Sequence, residues 1–290
     1  MSRIAYVNGR YVPHRQASVH IEDRGYQFAD GVYEVVAVSS GRLIDLGPHL
    51  DRLERSLSEL SIAGRLSRRA LEMVMCELVR RNGVVDGIVY VQMTRGVAPR
   101  DHAFPLQPRT QIVMTARRTR PQPGSFGEDG IKVVSASDIR WERCDIKSIA
   151  LLPNVLAKQS ARKAGAYEAW FVGDGGTVTE GSSTNAWIVT RDGKLVTHSA
   201  DKAILSGITR AAVIDIARAQ GIELVERRFS LDEAKAAREA FITSTSALVL
   251  PVTQIDDTVV GNGKPGLLTS RLRAAYFAHL ADRGRHSALV

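Results

Sequence analysis

The chain has 290 residues, with 39 lysines and arginines against 31 aspartates and glutamates, and a formal net charge of +8 at pH 7. This length fits one large domain or two medium ones around a sizeable core. No apolar run approaches the length of a membrane span, and the N-terminus has no basic-then-apolar signal segment, so we expect a cytoplasmic protein without a membrane partner.

The basic composition, with an isoelectric point near 9.7, is a feature shared with nucleic-acid-binding proteins. The distribution of the charge argues against that function, because basic residues alternate with acidic ones, as at Arg52, Glu54 and Arg55. We therefore interpret most of the charge as solvated surface. The two cysteines, Cys76 and Cys144, indicate neither a disulfide framework nor a metal cluster.

The N-terminal region begins with a predicted hairpin and a predicted strand. Asn8-Gly9 between two short apolar runs favours a two-residue turn, because both residues tolerate positive backbone angles. The alternating segment that ends at Val38 is typical of a strand and contains Tyr33 and Val35. Tyr33 is explained equally well by packing and by a hydroxyl presented to a ligand.

Two amphipathic helices follow, predicted over Pro48 to Leu60 and Arg68 to Arg81. Arg52 lies in the first turn of the earlier helix, where the positive end of the helix dipole gives a cation no advantage. A surface position explains Arg52 simply, but a nearby anion would explain it better.

A predicted strand from Gly87 to Thr94 leads into a loop that contains Arg100 and His102. If this loop is extended, the two side chains share a face and could bind a carboxylate together. A polar surface loop is the simpler interpretation of this stretch alone.

The best linker in the sequence runs from Arg117 to Gly124, where charge, two prolines and a glycine leave little to pack. We therefore predict a smaller N-terminal domain over residues 1–118, a linker over 119–124 and a larger C-terminal domain over 125–290.

The central stretch around Lys147 lies between a predicted strand, Ile131 to Ser135, and a predicted helix, Leu156 to Gly165. A lysine in such a connecting segment is most simply a solvated charge. The apolar neighbours of Lys147 favour the neutral amine, which is the form that attacks carbonyl groups. A function for Lys147 depends on whether the chain also supplies groups for a phosphorylated, carbonyl-bearing cofactor.

Two later stretches offer such groups. Glu180 is the only acid in a Ser/Thr-rich run between two predicted strands, where it is either a surface residue or a carboxylate for a ring nitrogen. Leu205 to Arg210 opens a predicted helix with a Ser-Gly-x-Thr turn, which suits a phosphate and is also an ordinary helix start. Further hydroxyls, including that of Thr245, follow a buried strand that ends at Thr243.

Six stretches in this order resemble those of the fold-type IV pyridoxal-phosphate aminotransferases, and within that family the D-amino acid transaminases. They are Arg24 to Glu34, His49 to Arg52, Arg95 to His102, Asp145 to Lys147, Thr179 to Asn185, and Leu205 to Arg210. The resemblance covers most of the chain, from Tyr6 to Tyr276. It implies an α+β fold of two domains with pyridoxal 5'-phosphate between them.

The resemblance also implies roles for individual residues. Lys147 would hold the cofactor as an internal aldimine and then act as acid and base, and Glu180 would keep the pyridine nitrogen protonated. The cofactor, mainly through its phosphate, would be held by Arg52, Ser183, Ile208, Thr209 and Thr245. The substrate would be bound by Tyr33, Arg100 and His102 at its carboxylate and by Val35 and Leu205 at its side chain.

The activity implied is ping-pong transamination between a D-amino acid, such as D-alanine or D-glutamate, and a 2-oxo acid. Arg100 and His102 would come from the partner subunit of a homodimer. Two alternatives stay open. One is a fold-type IV relative: a branched-chain L-amino acid aminotransferase, an R-amine transaminase or an aminodeoxychorismate lyase. The other is a basic, non-catalytic nucleic-acid-binding protein.

Overall fold

The computed structural model of the protein describes residues 3–119 and 124–286. These residues divide into two compact units. The first comprises residues 3–119, 146–150 and 280–286, and the second comprises residues 124–145 and 151–279.

The first unit is built on an antiparallel sheet and three helices. Its strands are β1 (Ile4–Val7), β2 (Arg10–Pro13), β3 (Gly31–Ser39), β4 (Arg42–Leu43), β5 (Gly87–Thr94) and β6 (Gln111–Arg118). Its helices are α1 (Arg24–Phe28), α2 (Leu46–Glu59) and α3 (Arg68–Asn82), and a 3-10 turn covers His14–Gln16.

The strand order of this sheet is β2-β1-β6-β5-β3-β4. One face of β3 packs into the core, because Val32, Val36 and Val38 alternate with less buried residues. The apolar stripe of α2 joins the same core through Leu50, Leu53 and Leu57.

The second unit contains a larger mixed sheet. Its strands are β7 (Ile131–Ser137), β8 (Glu168–Val172), β9 (Thr177–Gly181), β10 (Asn185–Val189), β11 (Leu195–Thr197), β12 (Leu224–Glu226), β13 (Phe229–Ser230), β14 (Glu239–Ser244), β15 (Leu248–Ile255) and β16 (Thr258–Val259). Its helices are α4 (Ser125–Glu128), α5 (Leu152–Lys163), α6 (Ile208–Ala219), α7 (Leu231–Lys235) and the part of α8 (Leu267–His286) up to residue 279, and a 3-10 turn covers Asp174–Gly176.

The order β12-β11-β10-β14-β15-β7-β8-β9-β13 runs across this sheet, and β16 pairs with β15. Parallel pairs join β11 to β12, β15 to β7 and β7 to β8, and the remaining pairs are antiparallel. The central strands β10 and β14 are buried along most of their length, as at Trp187 and Phe241, whose rings stack 5.2 Å apart.

Most of the predicted elements are confirmed. Asn8 and Gly9 adopt φ angles of 50° and 100° in the turn between β1 and β2. The side chain of Ser67 caps α3 by accepting from the N–H of Ala70, and Gly83 ends that helix in the left-handed conformation. The helix predicted from Leu156 starts earlier, because Pro153 suits its first turn.

The structure differs from the predicted elements in three places, of which the first is a helix that was not predicted. Residues 24–28 form the short helix α1, which Asp23 caps and which is too short for a periodic pattern. Glu180 lies within strand β9 rather than in a connection between strands, because Thr177 and Val178 pair with β13 and β8.

The third correction concerns the linker. Arg117 and Arg118 belong to β6, where they pair with Ile88 and Gly87, so the linker does not begin at Arg117. Residues 120–123 of the predicted linker lie outside the described residues. The predicted boundaries are contiguous, whereas the two units are not, because residues 146–150 group with the first unit.

Among residues 3–119 and 124–286, no helix combines the length and the apolar character that crossing a membrane requires.

The start of β5 generates a stability prediction. A Cβ on Gly87 would overlap the backbone carbonyl of Arg117, which the β5–β6 ladder holds in place. We expect Gly87→Ala to lower the free energy of unfolding by about 1–3 kcal/mol, as overpacking does. Urea denaturation of both proteins at the same protein concentration measures this difference in the free energy of unfolding.

The matched control is Gly64→Ala, because a Cβ there has no neighbour closer than 4.0 Å. Its stability should stay close to that of the wild type. Equal losses of stability in the two variants would show that the close approach of β6 does not restrict the size of the side chain at position 87.

Candidate active site

Lys147 is held by its own backbone beside the start of β3. The N–H of Tyr33 donates to the carbonyl of Lys147 at 3.0 Å, and the N–H of Ile149 donates to the carbonyl of Gly31 at 3.0 Å. Val32 and Ser148 form an antiparallel bridge between these two bonds. The predicted connecting segment therefore has a fixed path, although Lys147 itself lies outside any helix or strand.

The side chain of Lys147 extends over an aromatic ring. Its Nζ lies 4.3 Å from the ring centroid of Tyr33, within the range of cation–π attraction. Its backbone N–H donates to the Oγ of Ser56, a buried residue of α2, at 3.3 Å. The first unit thus brings together two of the predicted site residues, Lys147 and Tyr33.

The opposite face of β3 contains a buried carboxylate. Glu34, which is 1% exposed, accepts from the Nε of Arg52 at 2.7 Å and from its Nη2 at 2.9 Å. The Nδ1 of His49 lies 2.8 Å from Oε2 of the same carboxylate. Arg52, predicted to hold a phosphate, is therefore oriented by a bidentate ion pair with Glu34.

Burial alone would raise the pKa of Glu34, but the charge and hydrogen bonds of Arg52 and the hydrogen bond from His49 outweigh it and lower that pKa to about 2. Burial, together with the charges of Arg52 and Lys147, lowers the pKa of His49, although Glu34 acts in the opposite direction. His49 is therefore a neutral donor, and the cluster consists of one carboxylate and one guanidinium.

Val35 follows Tyr33 on the same face of β3, as the alternation of strand residues predicts. The ring of Tyr33 also lies 5.7 Å from that of Tyr90 on β5. Burial, with a smaller effect of Tyr33, raises the pKa of Tyr90 to about 12. The ring of Tyr33 therefore lies beside both the amine of Lys147 and the ring of Tyr90.

Arg100 and His102 lie on an exposed loop around one ring. The chain bends at both residues, so the extended conformation in which they would share a strand face is not present. Both side chains nevertheless meet Phe28: the guanidinium of Arg100 lies 4.9 Å from its centroid, and the ring of His102 lies 5.3 Å away. Within residues 3–119 and 146–150, neither makes a hydrogen bond, ion pair or ring contact with Tyr33 or Lys147.

In the second unit, Glu180 is a buried carboxylate at the end of β9. Its Oε1 accepts from the Nη1 of Arg140 at 2.5 Å. Its Oε2 accepts from the side-chain amide of Asn185 and from the N–H of Leu205, both at 3.1 Å. Leu205, predicted to contact the substrate, is thus tied to Glu180 through its backbone.

Arg140 connects this carboxylate to a second acid, Asp138, at 2.7 Å. Arg140 also donates to Thr179 and to the carbonyl of Ala203. Although burial opposes it, the hydrogen bonds and charge of Arg140 lower the pKa of Asp138, and the two acids raise the pKa of Arg140. Burial also raises the pKa of nearby Cys144, to about 11, so its thiol is inert at neutral pH.

Helix α6 begins at Ile208, after Gly207, which has no side chain with which to cap it. A Cβ on Gly207 would overlap the amide oxygen of Asn185, so a glycine is required for this approach. The hydroxyl of Thr209, a buried residue, lies 3.4 Å from that of Tyr276. Thr245 lies in the turn between β14 and β15.

Ser183, predicted to bind the cofactor, donates its hydroxyl to Glu168 at 2.7 Å. Glu168 is fully buried, also accepts from Ser182, and pairs with Lys158 at 3.3 Å. The Ser/Thr-rich turn after β9 is therefore held by a buried acid of β8.

The first unit supplies a lysine amine, and the second supplies a buried carboxylate and a helix start with hydroxyls. These chemical groups are of the types that suit a phosphorylated aromatic aldehyde. The chain belongs to the amino-transferase class IV family, whose family model matches residues 31–255. The predicted fold-type IV aminotransferase class is thereby confirmed.

The similar proteins agree with this family. The D-alanine aminotransferase of Staphylococcus haemolyticus is 39% identical over 278 residues, which are 96% of this chain and 98% of that protein. The D-alanine aminotransferase of Bacillus licheniformis is 41% identical over 268 residues, 92% and 94% of the two chains.

Solved structures of branched-chain enzymes share the fold. The branched-chain aminotransferase of the archaeon Thermoproteus uzoniensis, solved with norvaline, has a TM-score of 0.87 at 26% identity, and the match covers 99% of this chain and 97% of that one. A second branched-chain amino acid aminotransferase, solved with pyridoxamine 5'-phosphate, has a TM-score of 0.88 at 26% identity, with the same coverage of 99% and 97%.

The donor set fits pyridoxal 5'-phosphate. A dianionic phosphate matches the positive end of α6, where no side chain caps the first N–H groups. A protonated pyridine nitrogen matches an ionised carboxylate such as Glu180, which Arg140 pairs. A primary amine, that of Lys147, matches the aldehyde.

Sequence reasoning missed the partners that orient these groups, which are Glu34, His49, Ser56, Arg140 and Asn185. Glu34 could have been found, because an acid on the apolar face of a buried strand needs a cationic partner. Arg140 has no local signal, since it pairs with Glu180 across 40 positions.

The ion pair of Glu34 generates a prediction about pH. Because its pKa is lowered from 4.5 to about 2, its stabilising contribution is complete above pH 4.5 and is lost as the pH falls toward 2. This contribution is worth roughly 3 kcal/mol, since a tenfold change in proton affinity is worth about 1.4 kcal/mol. Glu34→Gln should therefore be less stable than wild type at pH 7, by an amount that shrinks between pH 5 and pH 3.

Urea denaturation across this pH range measures the difference. Glu54→Gln, at an exposed position of α2, is the control and should follow the wild type at every pH. A deficit of Glu34→Gln that stays constant with pH would contradict the ionised state assigned to Glu34.

Proposed function

We propose that this protein transfers the amino group of a D-amino acid, such as D-alanine or D-glutamate, to a 2-oxo acid, with pyridoxal 5'-phosphate as its cofactor. The observation that carries the proposal is the position of the Lys147 amine beside Tyr33, where backbone hydrogen bonds to β3 hold its segment. The similarity of the chain to D-alanine aminotransferases supports the choice of a D-amino acid.

When bound, the cofactor supplies an electron sink for the carbanion that forms at the Cα of the amino acid. Lys147 would hold the cofactor; once the amino donor has displaced it, its Nζ would take the proton from the substrate Cα and deliver it to C4′ of the cofactor, and in the second half-reaction it would carry a proton from C4′ back to Cα. The carbonyl of Lys147 accepts from the N–H of Tyr33, and the N–H of Lys147 donates to Ser56. These two bonds fix the Lys147 backbone and limit the positions that its amine can reach.

Glu180 would hold the protonated pyridine nitrogen. Arg140, Asn185 and the N–H of Leu205 all donate to its carboxylate and so fix its orientation. The phosphate is assigned to Arg52, Ile208, Thr209 and Thr245, and Ser183 is assigned to the same cofactor. Glu34 would orient Arg52 for that role, as their bidentate pair suggests.

Tyr33, Arg100 and His102 bind the substrate carboxylate in this proposal, which decides whether a D- or an L-amino acid presents its Cα hydrogen to Lys147. Val35 and Leu205 bound the side chain. The proposal includes a homodimer, in which Arg100 and His102 serve the site of the partner subunit. In support, both residues contact Phe28 and not Tyr33 or Lys147 of their own unit.

The proposal also retains the predicted division at residues 119–124 and a cytoplasmic location. Lys147 follows this division in the sequence, but its segment, residues 146–150, groups with the first unit. The residues directly before and after that segment belong to the second unit.

The second candidate is a class IV relative of different specificity. The similarity to the two solved branched-chain enzymes favours an L-branched-chain aminotransferase over the other relatives. A preference for L-leucine, or for an R-amine without a carboxylate, would replace the proposed function and leave the family unchanged.

The test is turnover with D-alanine and 2-oxoglutarate. We expect pyruvate and D-glutamate as products and parallel double-reciprocal lines, because both half-reactions use the same groups. Lys147→Ala should lose this activity by at least about a thousandfold, since it removes the general base, and should lose the covalent cofactor label that borohydride reduction leaves on the wild type.

The control is Lys163→Ala, at an exposed position at the end of α5, which should keep both the activity and the label. Normal turnover and labelling of Lys147→Ala would refute the assignment of Lys147. Formation of L-glutamate would refute the D-specificity.

A further inference from the structure

Arg24 is a buried arginine without a role in the proposed reaction. It is 3% exposed and lies at the first position of α1. Its Nε donates to Oδ2 of Asp30 at 2.8 Å. Because a buried guanidinium is costly unless its donors are used, the rest of its hydrogen bonds show what it organises.

Those bonds reach three successive carbonyls of the loop that carries Arg100 and His102. The Nη1 of Arg24 donates to the carbonyls of Asp101 at 2.5 Å and Ala103 at 3.2 Å. Its Nη2 donates to the carbonyl of His102 at 3.3 Å. One planar fork therefore fixes the backbone of a segment that has no helix or strand of its own.

Phe28 extends this arrangement to the side chains. The guanidinium of Arg24 lies 4.9 Å from the Phe28 centroid, one helical turn along α1. Arg100 and His102 lie against the same ring, at 4.9 Å and 5.3 Å. Arg24 thus holds the loop backbone, and the ring beside it holds both of the side chains that the loop presents.

A second arginine shares the same acid but serves another segment. Arg95, which is 2% exposed, donates to Asp30 at 2.8 and 3.0 Å and to the carbonyls of Leu60 and Ser61. Its guanidinium lies over Phe104, beyond the three carbonyls that Arg24 binds. Burial would raise the pKa of Asp30, but hydrogen bonds from Arg95 and Arg24 lower it, so the acid stays ionised.

We propose that Arg24 is a positioning residue for carboxylate recognition: by binding the carbonyls of Asp101, His102 and Ala103, it preorganises the loop that presents Arg100 and His102 to the amino acid carboxylate. This inference rests on the proposed function. An unanchored loop would have to be ordered at the expense of binding free energy, which weakens substrate binding more than it slows chemistry.

Arg24→Lys is the principal variant, because it keeps the charge beside Asp30 and loses the fork. Arg95→Lys is its matched control, since it makes the same change at the same acid without touching the three carbonyls. Phe28→Leu is a second variant that removes the shared ring, and Arg100→Ala marks the loss expected when a carboxylate-binding group is absent.

Each holoenzyme is assayed with D-alanine and with an R-configured arylalkylamine that has no carboxylate. We expect Arg24→Lys and Phe28→Leu to raise the KM for D-alanine about tenfold or more, with kcat changed less than about threefold. The specificity constant for the amine should change less than about threefold in both variants. Arg95→Lys should leave the KM for D-alanine near that of the wild type.

Hydrogen–deuterium exchange of the amides at 100–103 is the readout that does not depend on activity. Exchange there should be faster in Arg24→Lys and unchanged in Arg95→Lys. Equal exchange in wild type and Arg24→Lys would overturn the proposal, as would equal losses with D-alanine and the amine, or the same D-alanine loss in Arg95→Lys. If the wild type does not react with D-alanine, the proposed function fails, and the exchange result alone then decides whether Arg24 holds the loop.

Discussion

The pairing of residues 147–149 with the first residues of β3 is the constraint on which the account of the first unit depends. Two backbone hydrogen bonds of 3.0 Å and one bridge fix a segment without regular structure against a strand whose far face is buried. The same strand provides Tyr33 on one face and Glu34 on the other. The amine of Lys147 therefore extends from a backbone that is hydrogen-bonded to a strand with one buried face, and this limits the positions that the amine can reach.

Buried ion pairs orient the polar groups around this frame. Glu34 with Arg52, Glu180 with Arg140, and Asp30 with Arg24 each join a carboxylate to an arginine fork. Compared with apolar side chains of similar volume, such pairs add little net stability, because desolvation offsets much of their attraction. The roughly 3 kcal/mol assigned to Glu34 is the difference between its ionised and protonated forms. Their effect is to fix the orientation of polar side chains. Arg24 also binds the loop carbonyls, Arg52 is proposed to bind the cofactor phosphate, and Arg140 orients the carboxylate that is proposed to bind the ring nitrogen. Replacing one partner alone would leave a buried charge unpaired, so the orienting residue is as sensitive to substitution as the group that it orients.

Local patterns predicted the elements and some of the site, whereas long-range pairing determined the rest. The leucine spacing of α2, the Asn8-Gly9 turn and the position of Lys147 in a connection are properties of a few neighbouring residues, and the structure has all three. The short helix α1 and strand β9 were missed because their residues are held by caps and by distant strands. Arg24 donates to carbonyls that lie 77 to 79 positions away, and no local or periodic pattern in the sequence predicts such bonds.

The central claim is that Lys147 serves a cofactor reaction that is selective for D-amino acids, and a single-turnover measurement tests it most directly. The purified protein is saturated with pyridoxal 5'-phosphate, and the absorption band of the bound cofactor is followed after D-alanine alone and after L-leucine alone. The account predicts loss of the band with D-alanine only. Loss with L-leucine only would contradict the stereochemistry and leave a class IV enzyme, and a protein that shows no bound-cofactor band would contradict the role of Lys147 itself.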